Sequence, residues 1–173
     1  MASLDQYNEM LPVVDANDRV VGRERRGVIH RRGLLHRAVH VLLFDQAGRL
    51  YLQRRSRIKD THPGKWTSSA SGHVDPGESY EVAAVRELRE ELGLDCPLTY
   101  LGKLPAQPAT ENEFSAIFAA RANREPRPDP GEIAEGRFFT WAQARELAGR
   151  PQEATPSLAV VLELAAGKGL EAP

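Results

Sequence analysis

Apolar residues along the chain occur in short runs with two different spacings, which predict strands and helices within one fold. Residues 38–44 are apolar almost without interruption, as in a central strand that is buried on both faces. In Leu50–Arg55 apolar and polar side chains alternate, which also predicts a strand. Three more strands are predicted at residues 98–104, 114–121 and 137–141.

A central helix is predicted from Ser79 to Gly93, where glycine enters the left-handed conformation at no steric cost and ends the helix. The apolar residues of this segment recur every three or four positions, so we expect them to form one stripe that faces the core. These residues are Val82, Val85, Leu88 and Leu92. Two further helices are predicted at residues 142–149 and 157–166.

The N-terminal region predicts a hairpin, with strands at residues 11–14 and 19–22 and turn residues between them. Residues 23–37 are rich in arginine, and we favour a solvated turn or short helix over a phosphate-binding arm. Strands and helices interleave without the regular alternation of a doubly wound sheet. The predicted fold is therefore an α/β/α sandwich with a mixed sheet. We expect one domain over residues 1–173, with the hairpin as an extension at about residues 11–22.

Composition and charge narrow the class of partner. A net charge of −1 and a pI near 6.5 give no bulk attraction to nucleic acid or to an acidic membrane. Cys96 is the only cysteine, and no apolar run approaches the roughly 20 residues that span a bilayer. The N-terminus also lacks a signal segment. We therefore expect a cytoplasmic enzyme with a small-molecule partner, while its oligomeric state stays open.

Three acids of the central helix are expected to lie close together. At roughly 100° per residue, Glu87, Glu90 and Glu91 fall in a narrow arc opposite the apolar stripe. Like charges at this spacing destabilise a helix unless a cation lies among them. Mg²⁺ prefers carboxylate oxygens together with substrate phosphates, and Mn²⁺ suits the same ligands. The alternative is a solvated acidic face that binds nothing.

The loop before this helix carries a further acid, Glu78. Arg86 directly precedes the acidic cluster, and its guanidinium can reach back to Glu78 through a bidentate ion pair. We expect this pair to brace the loop of residues 72–77 against the helix.

This stretch resembles the signature of the Nudix hydrolases. The signature runs from Gly72 through Glu78 to Arg86-Glu87-Leu-x-Glu90-Glu91-x-Gly93-Leu, with five and seven residues in the two gaps. The resemblance implies a Nudix-type α/β/α sandwich over about residues 11–166. It also implies that the three helix glutamates hold a divalent metal, that a backbone carbonyl of Ser71 or Gly72 joins them, and that Glu78 and Arg86 brace the site.

Basic residues precede the signature and are candidates for binding substrate phosphate. They are Arg54, Arg55, Arg57 and Lys59. The alternative is that these charges are simply exposed. Trp66 follows them, and we favour a core or rim position for it over stacking on a base.

The region of residues 105–113 predicts an active-site loop with two more acids. Glu111 and Glu113 are two residues apart, so on an extended chain they point to the same side and are expected to face the metal cluster. An exposed edge strand is the alternative, and Glu132 and Glu135 are alternative loop acids. The general base is expected to be Glu90 or Glu91, or otherwise Glu111 or Glu113.

Four pieces of the sequence, at residues 33–38, 54–67, 72–73 and 111–113, carry a second resemblance, to the isopentenyl-diphosphate isomerases. It implies a metal site at His36, His73, Glu111 and Glu113, with His30 as a displaced further ligand. A histidine near an apolar strand, such as His40 or His36, is alternatively a structural residue. The isomerases carry cysteine where this chain has Ser71, whose hydroxyl is a much weaker acid than a thiol. They also lack the complete glutamate cluster.

The sequence therefore predicts a magnesium-dependent pyrophosphohydrolase acting on nucleoside di- and triphosphates. The expected products are a nucleoside monophosphate with phosphate or pyrophosphate. The alternatives are an isopentenyl-diphosphate isomerase-like enzyme and a non-catalytic nucleotide-binding module.

Overall fold

The computed structural model describes residues 7–170. The strands of this range are β1 (Met10–Val14), β2 (Val20–Arg25), β3 (His36–Phe44), β4 (Leu50–Arg55), β5 (Trp66–Thr67), β6 (Ala70–His73), β7 (Thr99–Leu104), β8 (Glu113–Arg121) and β9 (Ile133–Phe139). The helices are α1 (Arg26–Arg32), α2 (Tyr80–Leu92), α3 (Trp141–Ala148) and α4 (Pro156–Ala166), with a 3₁₀ turn at Pro108–Thr110. No helix within residues 7–170 is long and apolar enough to span a membrane.

The main sheet is mixed, as the sequence predicts. Its strands lie in the order β5-β4-β3-β8-β7, with β6 paired to β3 and β9 paired to β4. The pairing of β3 with β8 is parallel along nine residue pairs, whereas the other pairings are antiparallel. The continuous apolar run in β3 is explained by this central place, because β3 is covered on both faces.

Helices cover both faces of this sheet, which confirms the sandwich. On one face, side chains of α2 such as Leu88 and Leu92 pack against Val39 and Val41 of β3 in one buried cluster. On the other face, α3 and α4 pack against Leu42 and neighbouring strand residues in a second cluster. The central strand thus contributes alternate residues to two cores.

The predicted direction of the α2 apolar stripe is partly wrong. Val82 is 55% exposed and Val85 is 36% exposed, whereas Ala83 and Ala84 are fully buried. The small alanines let the helix approach the sheet closely, and this rotation turns the acidic side of α2 inward. The ends of the helix are as predicted: the Ser79 hydroxyl accepts a hydrogen bond from the N–H of Val82, and Gly93 is left-handed.

The predicted strand at residues 137–141 has the wrong bounds. β9 begins at Ile133, and Trp141 belongs to α3. Thr140 explains the early end, because its hydroxyl accepts the N–H of Gln143 while the Gln143 side chain accepts the N–H of Thr140. This capping box starts a helix where apolar residues alone suggest a continuing strand.

The N-terminal hairpin is attached to the sandwich by Asp18. Its carboxylate accepts hydrogen bonds from Arg37 Nε at 2.7 Å and from Tyr80 Oη at 2.9 Å, and it pairs with Lys103. The side chain of Asp18 is only 8% exposed. One carboxylate therefore connects the hairpin to β3, β7 and the start of α2.

We expect Asp18→Ala to lower the free energy of unfolding by about 2 kcal/mol, because the partly buried Arg37 and Tyr80 and the more exposed Lys103 lose their common acceptor. Urea unfolding followed by circular dichroism measures this change. Asp95→Ala is the matched control, since Asp95 pairs with Arg89 on the surface and its loss should leave the midpoint nearly unchanged. Equal midpoints for the two variants would contradict the anchoring role of Asp18.

Candidate active site

A cavity of about 590 Å³ lies where the main sheet divides. β3 pairs with β6 through Ala38–Val41 but with β4 only through Leu43 and Phe44. The strands β4 and β6 therefore diverge on one side of β3. Arg55 and Thr67 line the cavity from one branch of the sheet, while Ser71, Gly72 and His73 line it from the other.

The predicted acidic cluster of α2 faces this cavity. Glu87 and Glu91 are buried, at 9% and 5% exposure, and Glu90 lies at the exposed edge of the same cavity. Gly72 lies directly against Glu87, because a Cβ at this position would overlap the carboxylate. Only glycine therefore lets β6 pass so close to the acidic side of α2.

One oxygen of Glu91 is held by the protein, and the other is not. Oε2 accepts hydrogen bonds from Gln53 Nε2 at 2.6 Å and from the N–H of Ser71 at 3.0 Å. Gln53 is itself buried, which makes this arrangement rigid. No hydrogen bond to Oε1 occurs within the described part of the chain. This oxygen is therefore available to a ligand.

Burial and mutual repulsion disfavour the charged forms of these acids. Burial, reinforced by the neighbouring Glu91, raises the pKa of Glu87 to about 8. Burial also raises the pKa of Glu91 to about 7, although the N–H of Ser71 and the charge of Lys59 act in the opposite direction. The carboxylates gain their charged forms when a cation joins them.

The bidentate ion pair between Arg86 and Glu78 is present as predicted. Arg86 Nε and Nη2 donate to the two oxygens of Glu78, both at 2.9 Å. Nη2 also donates to the carbonyl of His73 at 2.9 Å, and Nη1 donates to Glu87 at 2.7 Å. Arg86 thus joins the loop, β6 and the acidic cluster, which is the arrangement that a brace requires.

A second group of possible metal ligands lies in the same cavity. The side chains of His30, His36, His73 and Glu113 place one ligand atom each within 4.8 Å of one another. His73 Nε2 is 3.2 Å from Glu113 Oε1 and 3.4 Å from His30 Nε2. Gly33 has the left-handed conformation that ends α1, and the chain turns back there toward β3. His30 therefore lies close to His36 although its spacing in the sequence is displaced.

The protonation of His36 suits a metal ligand. Its Nδ1 lies 2.9 Å from the carbonyl of Leu34 and must donate there, so the lone pair is on Nε2. Nε2 is buried and forms no hydrogen bond of acceptable geometry, although Glu113 Oε1 is 3.3 Å away. Burial disfavours the charged form of Glu113, but the hydrogen bond with His73 Nε2 and the neighbouring imidazoles outweigh it and hold the pKa of Glu113 well below its usual range. A cation fits this set of donors.

The predicted phosphate-binding residues divide into two groups. Arg55 and Lys59 line the cavity. The structure does not bring Arg54 and Arg57 to this cavity, because Arg54 donates to the carbonyl of Gly64 at 2.9 Å and Arg57 is exposed outside the lining. Their side chains leave β4 and the following loop in directions that the sequence does not specify.

Arg26 is a cavity residue that sequence reasoning missed. Although the sequence favours a solvated turn or short helix here, Arg26 is 7% exposed and donates to Asp60 at 2.7 Å. Its Nε is buried without a partner among the described residues. Gln53 was missed as well, and the only signal in the sequence is an amide within the apolar strand β4.

The prediction that Glu111 and Glu113 point to one side of an extended chain is wrong. Glu111 and Asn112 are both left-handed, with φ of 54° and 64°, so the chain turns between the two acids. Both nevertheless line the cavity, where Glu111 pairs with His62 at 3.2 Å instead of joining the histidine cluster. Of the alternative acids, Glu132 lines the cavity and pairs with Lys59, whereas Glu135 pairs with Arg54 outside it.

The remaining predicted roles near the site are settled by burial. Trp66 packs edge-on against Phe139 and is 6% exposed, so it is a core residue as favoured. His40 lies outside the metal-like cluster and is hydrogen-bonded to Ser68.

Acidic side chains outnumber arginine and lysine in the cavity lining. An anionic substrate is therefore repelled unless cations bind first.

Comparisons with known proteins agree with this fold. A model of the NUDIX domain family matches residues 34–161. Isopentenyl-diphosphate Delta-isomerase of Nocardia farcinica is 42% identical over 161 residues, which are 88% of this chain and 92% of that protein. An uncharacterised Nudix hydrolase of Streptomyces coelicolor is 35% identical over 173 residues, which are 98% of this chain and 96% of that protein.

Among solved structures, the protein DR0079 of Deinococcus radiodurans is similar to this chain. The TM-score is 0.80 at 28% identity, and the match covers 90% of this chain and 98% of the other. The family and fold expected from residues 72–94 are thus confirmed, while the names of the relatives include both an isomerase and a hydrolase.

We expect the metal-free protein to lose stability as the pH rises from about 5 to about 8. The folded-state pKa values of Glu87 and Glu91 lie above the unfolded value of about 4.3, so the folded protein binds more protons than the unfolded protein in this window. Glu91→Gln should reduce this loss and raise the melting temperature at pH 8 in EDTA by at least about 2 °C.

Glu90→Gln is the matched control, because its carboxylate is exposed and its removal relieves little repulsion. Differential scanning calorimetry at both pH values measures the effect. A flat pH profile for the wild-type protein in EDTA would contradict the burial of two unpaired acids.

We expect Arg86→Ala to lower the free energy of unfolding by about 2 kcal/mol, because it removes several charged hydrogen bonds at a partly exposed site. It should also reduce kcat by displacing the loop of residues 72–77. Arg86→Lys keeps the charge without the bidentate geometry and should lie between wild type and Arg86→Ala. Arg89→Ala, on the surface of the same helix, is the control. A rise in KM alone for Arg86→Ala would instead indicate direct phosphate contact.

Proposed function

We propose that this chain, which belongs to the Nudix family, is a divalent-metal-dependent hydrolase that cleaves an internal phosphoanhydride of nucleoside di- and triphosphates. The observation that carries this proposal is the placement of Glu87 and Glu91 in one cavity with Arg55 and Lys59. Carboxylates that hold cations, combined with basic side chains, suit a polyphosphate and its transition state. We further propose that the enzyme is cytoplasmic and uses Mg²⁺, with Mn²⁺ as a substitute.

The chain's own residues account for binding and orientation. Glu87 and the free oxygen of Glu91 would hold the metal, together with a backbone carbonyl of Ser71 or Gly72. A bound divalent cation would offset charge on the phosphate oxygens and lower the pKa of water. Arg55 and Lys59 bind the remaining phosphate oxygens and favour departure of the leaving phosphate.

Glu90 is our candidate for the general base. Its carboxylate reaches the cavity, and its contact with Arg86 is long, at 3.3 Å. Glu91 is held by Gln53, and Glu111 and Glu113 are engaged by histidines. Glu90 is therefore the acid with most freedom to accept a proton from the attacking water. Of the four acids that the sequence suggests as general base, we therefore propose Glu90.

Isopentenyl-diphosphate isomerisation is the second candidate, because the cluster of His30, His36, His73 and Glu113 resembles the metal site of the isomerases. Two features oppose it. Ser71 replaces the cysteine of those enzymes, and a hydroxyl is a poor proton carrier near neutral pH. The cavity lining is also polar, with Ala38 and Val39 as the apolar side chains among the described residues, so a hydrocarbon chain gains little by entering.

A non-catalytic nucleotide-binding module is the third candidate. The buried pair of acids opposes it, because such a pair is unfavourable in a protein that merely binds an anion. The same acids are useful to an enzyme that holds cations for catalysis. The lining contains no tryptophan, tyrosine or phenylalanine within the described part of the chain, so we propose weak discrimination among bases.

Hydrolysis in ¹⁸O-labelled water with magnesium tests the proposal. ADP should give AMP and phosphate, ATP should give AMP and pyrophosphate, and phosphorus NMR should find the label in one product. Glu90→Gln should reduce kcat by about 10²-fold or more, with Glu81→Gln on the outer face of α2 as the control. Faster turnover of isopentenyl diphosphate than of any nucleotide would support the isomerase instead, and binding without turnover would support the module.

A further inference from the structure

The floor of the cavity carries polar groups that the proposed chemistry does not use. Thr67 and Thr155 are buried, at 2% and 4% exposure, and His40 is 5% exposed. All three line the cavity together with Ser157. They belong to β5, β3 and the start of α4, so the tertiary structure brings them together.

These groups form a connected set of hydrogen bonds. Thr155 Oγ1 donates to Thr67 Oγ1 at 3.2 Å and lies 3.0 Å from Ser157 Oγ. The Thr155 hydroxyl is thereby fully used as a donor, and Ser157 donates to it. Thr67 Oγ1 accepts a hydrogen, while its own hydrogen has no acceptor among residues 7–170. The floor therefore offers one unpaired donor.

His40 offers an unpaired acceptor in the same cavity. Its Nδ1 lies 2.7 Å from Ser68 Oγ, and that hydroxyl donates to the carbonyl of Ala70. With the Ser68 hydrogen assigned to the Ala70 carbonyl at 3.4 Å, Ser68 accepts from Nδ1–H, and the lone pair of the imidazole is then on Nε2. Nε2 has no hydrogen-bond partner in the described chain. His40 and Thr67 line the same cavity, so a ligand there can reach both side chains.

A ligand group that satisfies both atoms must donate and accept at once. An ionised phosphate only accepts, so it leaves His40 Nε2 unpaired. A hydrocarbon group leaves both atoms unpaired, and burying a polar atom without a partner is unfavourable. A hydroxyl group donates to His40 Nε2 and accepts from Thr67, and Ser157 can bind a second hydroxyl.

We propose that the cavity floor formed by His40, Thr67, Thr155 and Ser157 is a subsite for sugar hydroxyls, and that it binds the ribose of the nucleotide substrate. This inference rests on the proposed function and names the part of the substrate that the enzyme selects. The phosphates then extend from the floor toward Arg55, Lys59 and the acids of α2. Selection by ribose rather than by base agrees with a lining that lacks large aromatic side chains.

Binding of ribose 5-phosphate and its 2-deoxy and 3-deoxy analogues, measured by titration calorimetry with magnesium, tests the subsite without cleavage, because none contains a phosphoanhydride. Wild type should bind at least one deoxy analogue about fivefold more weakly than ribose 5-phosphate, which is the effect of one neutral hydrogen bond. Ser157→Ala and Thr155→Val should reduce this ratio toward one. Ser115→Ala is the matched control, because its hydroxyl is buried in β8 away from the cavity lining.

Steady-state hydrolysis of ADP and 2′,3′-dideoxy-ADP completes the test. The dideoxy compound should have a raised KM in wild type and in Ser115→Ala, and a much smaller increase in Ser157→Ala. A preference for ribose 5-phosphate in an enzyme that cleaves no nucleotide would uphold the subsite and overturn the proposed function. Equal binding of the ribo and deoxy compounds by wild type would overturn the subsite, even if ADP is cleaved.

Discussion

The burial of two adjacent carboxylates is the constraint on which the rest of this site depends. Glu87 and Glu91 leave water on one side of α2, and each raises the energetic cost of charging the other. The fold accepts this arrangement because Gly72 passes beside Glu87 without a side chain and Gln53 binds one oxygen of Glu91. A cation bound in the cavity would offset this cost.

Arg86 connects this acidic pair to its surroundings. It binds Glu78, Glu87 and the carbonyl of His73, so the loop, β6 and the helix are held in one geometry. Asp18 does the same for the N-terminal hairpin, which it joins to Arg37 and to Tyr80 at the start of α2. The loop before α2 and the N-terminal hairpin are thus each held in place by one charged side chain that has several partners.

The cavity contains two sets of possible cation ligands, and the relatives of this chain carry the names of two different activities. The histidine set resembles the isomerases, whereas the glutamates of α2 match the hydrolase signature completely. The residues between the two sets favour hydrolysis in our proposal. Ser71 provides no readily ionised proton, and the hydroxyl-lined floor does not suit a hydrocarbon chain.

The sequence by itself determined the family, the mixed sheet between helices, the ends of α2 and the ion pair of Arg86 with Glu78, because these depend on local periodicity, on capping and on residues at most eight positions apart in one helix and its preceding loop. It could not determine which way α2 faces, because alanine and valine carry the same apolar signal, although only alanine permits close packing. Nor could it determine that Arg55 lines the cavity whereas Arg54 does not, that Arg26 lines it too, or that His40 and Thr155 lie in the same lining. Those outcomes depend on the divergence of β4 from β6 and on contacts between residues far apart in the chain, which local periodicity does not encode.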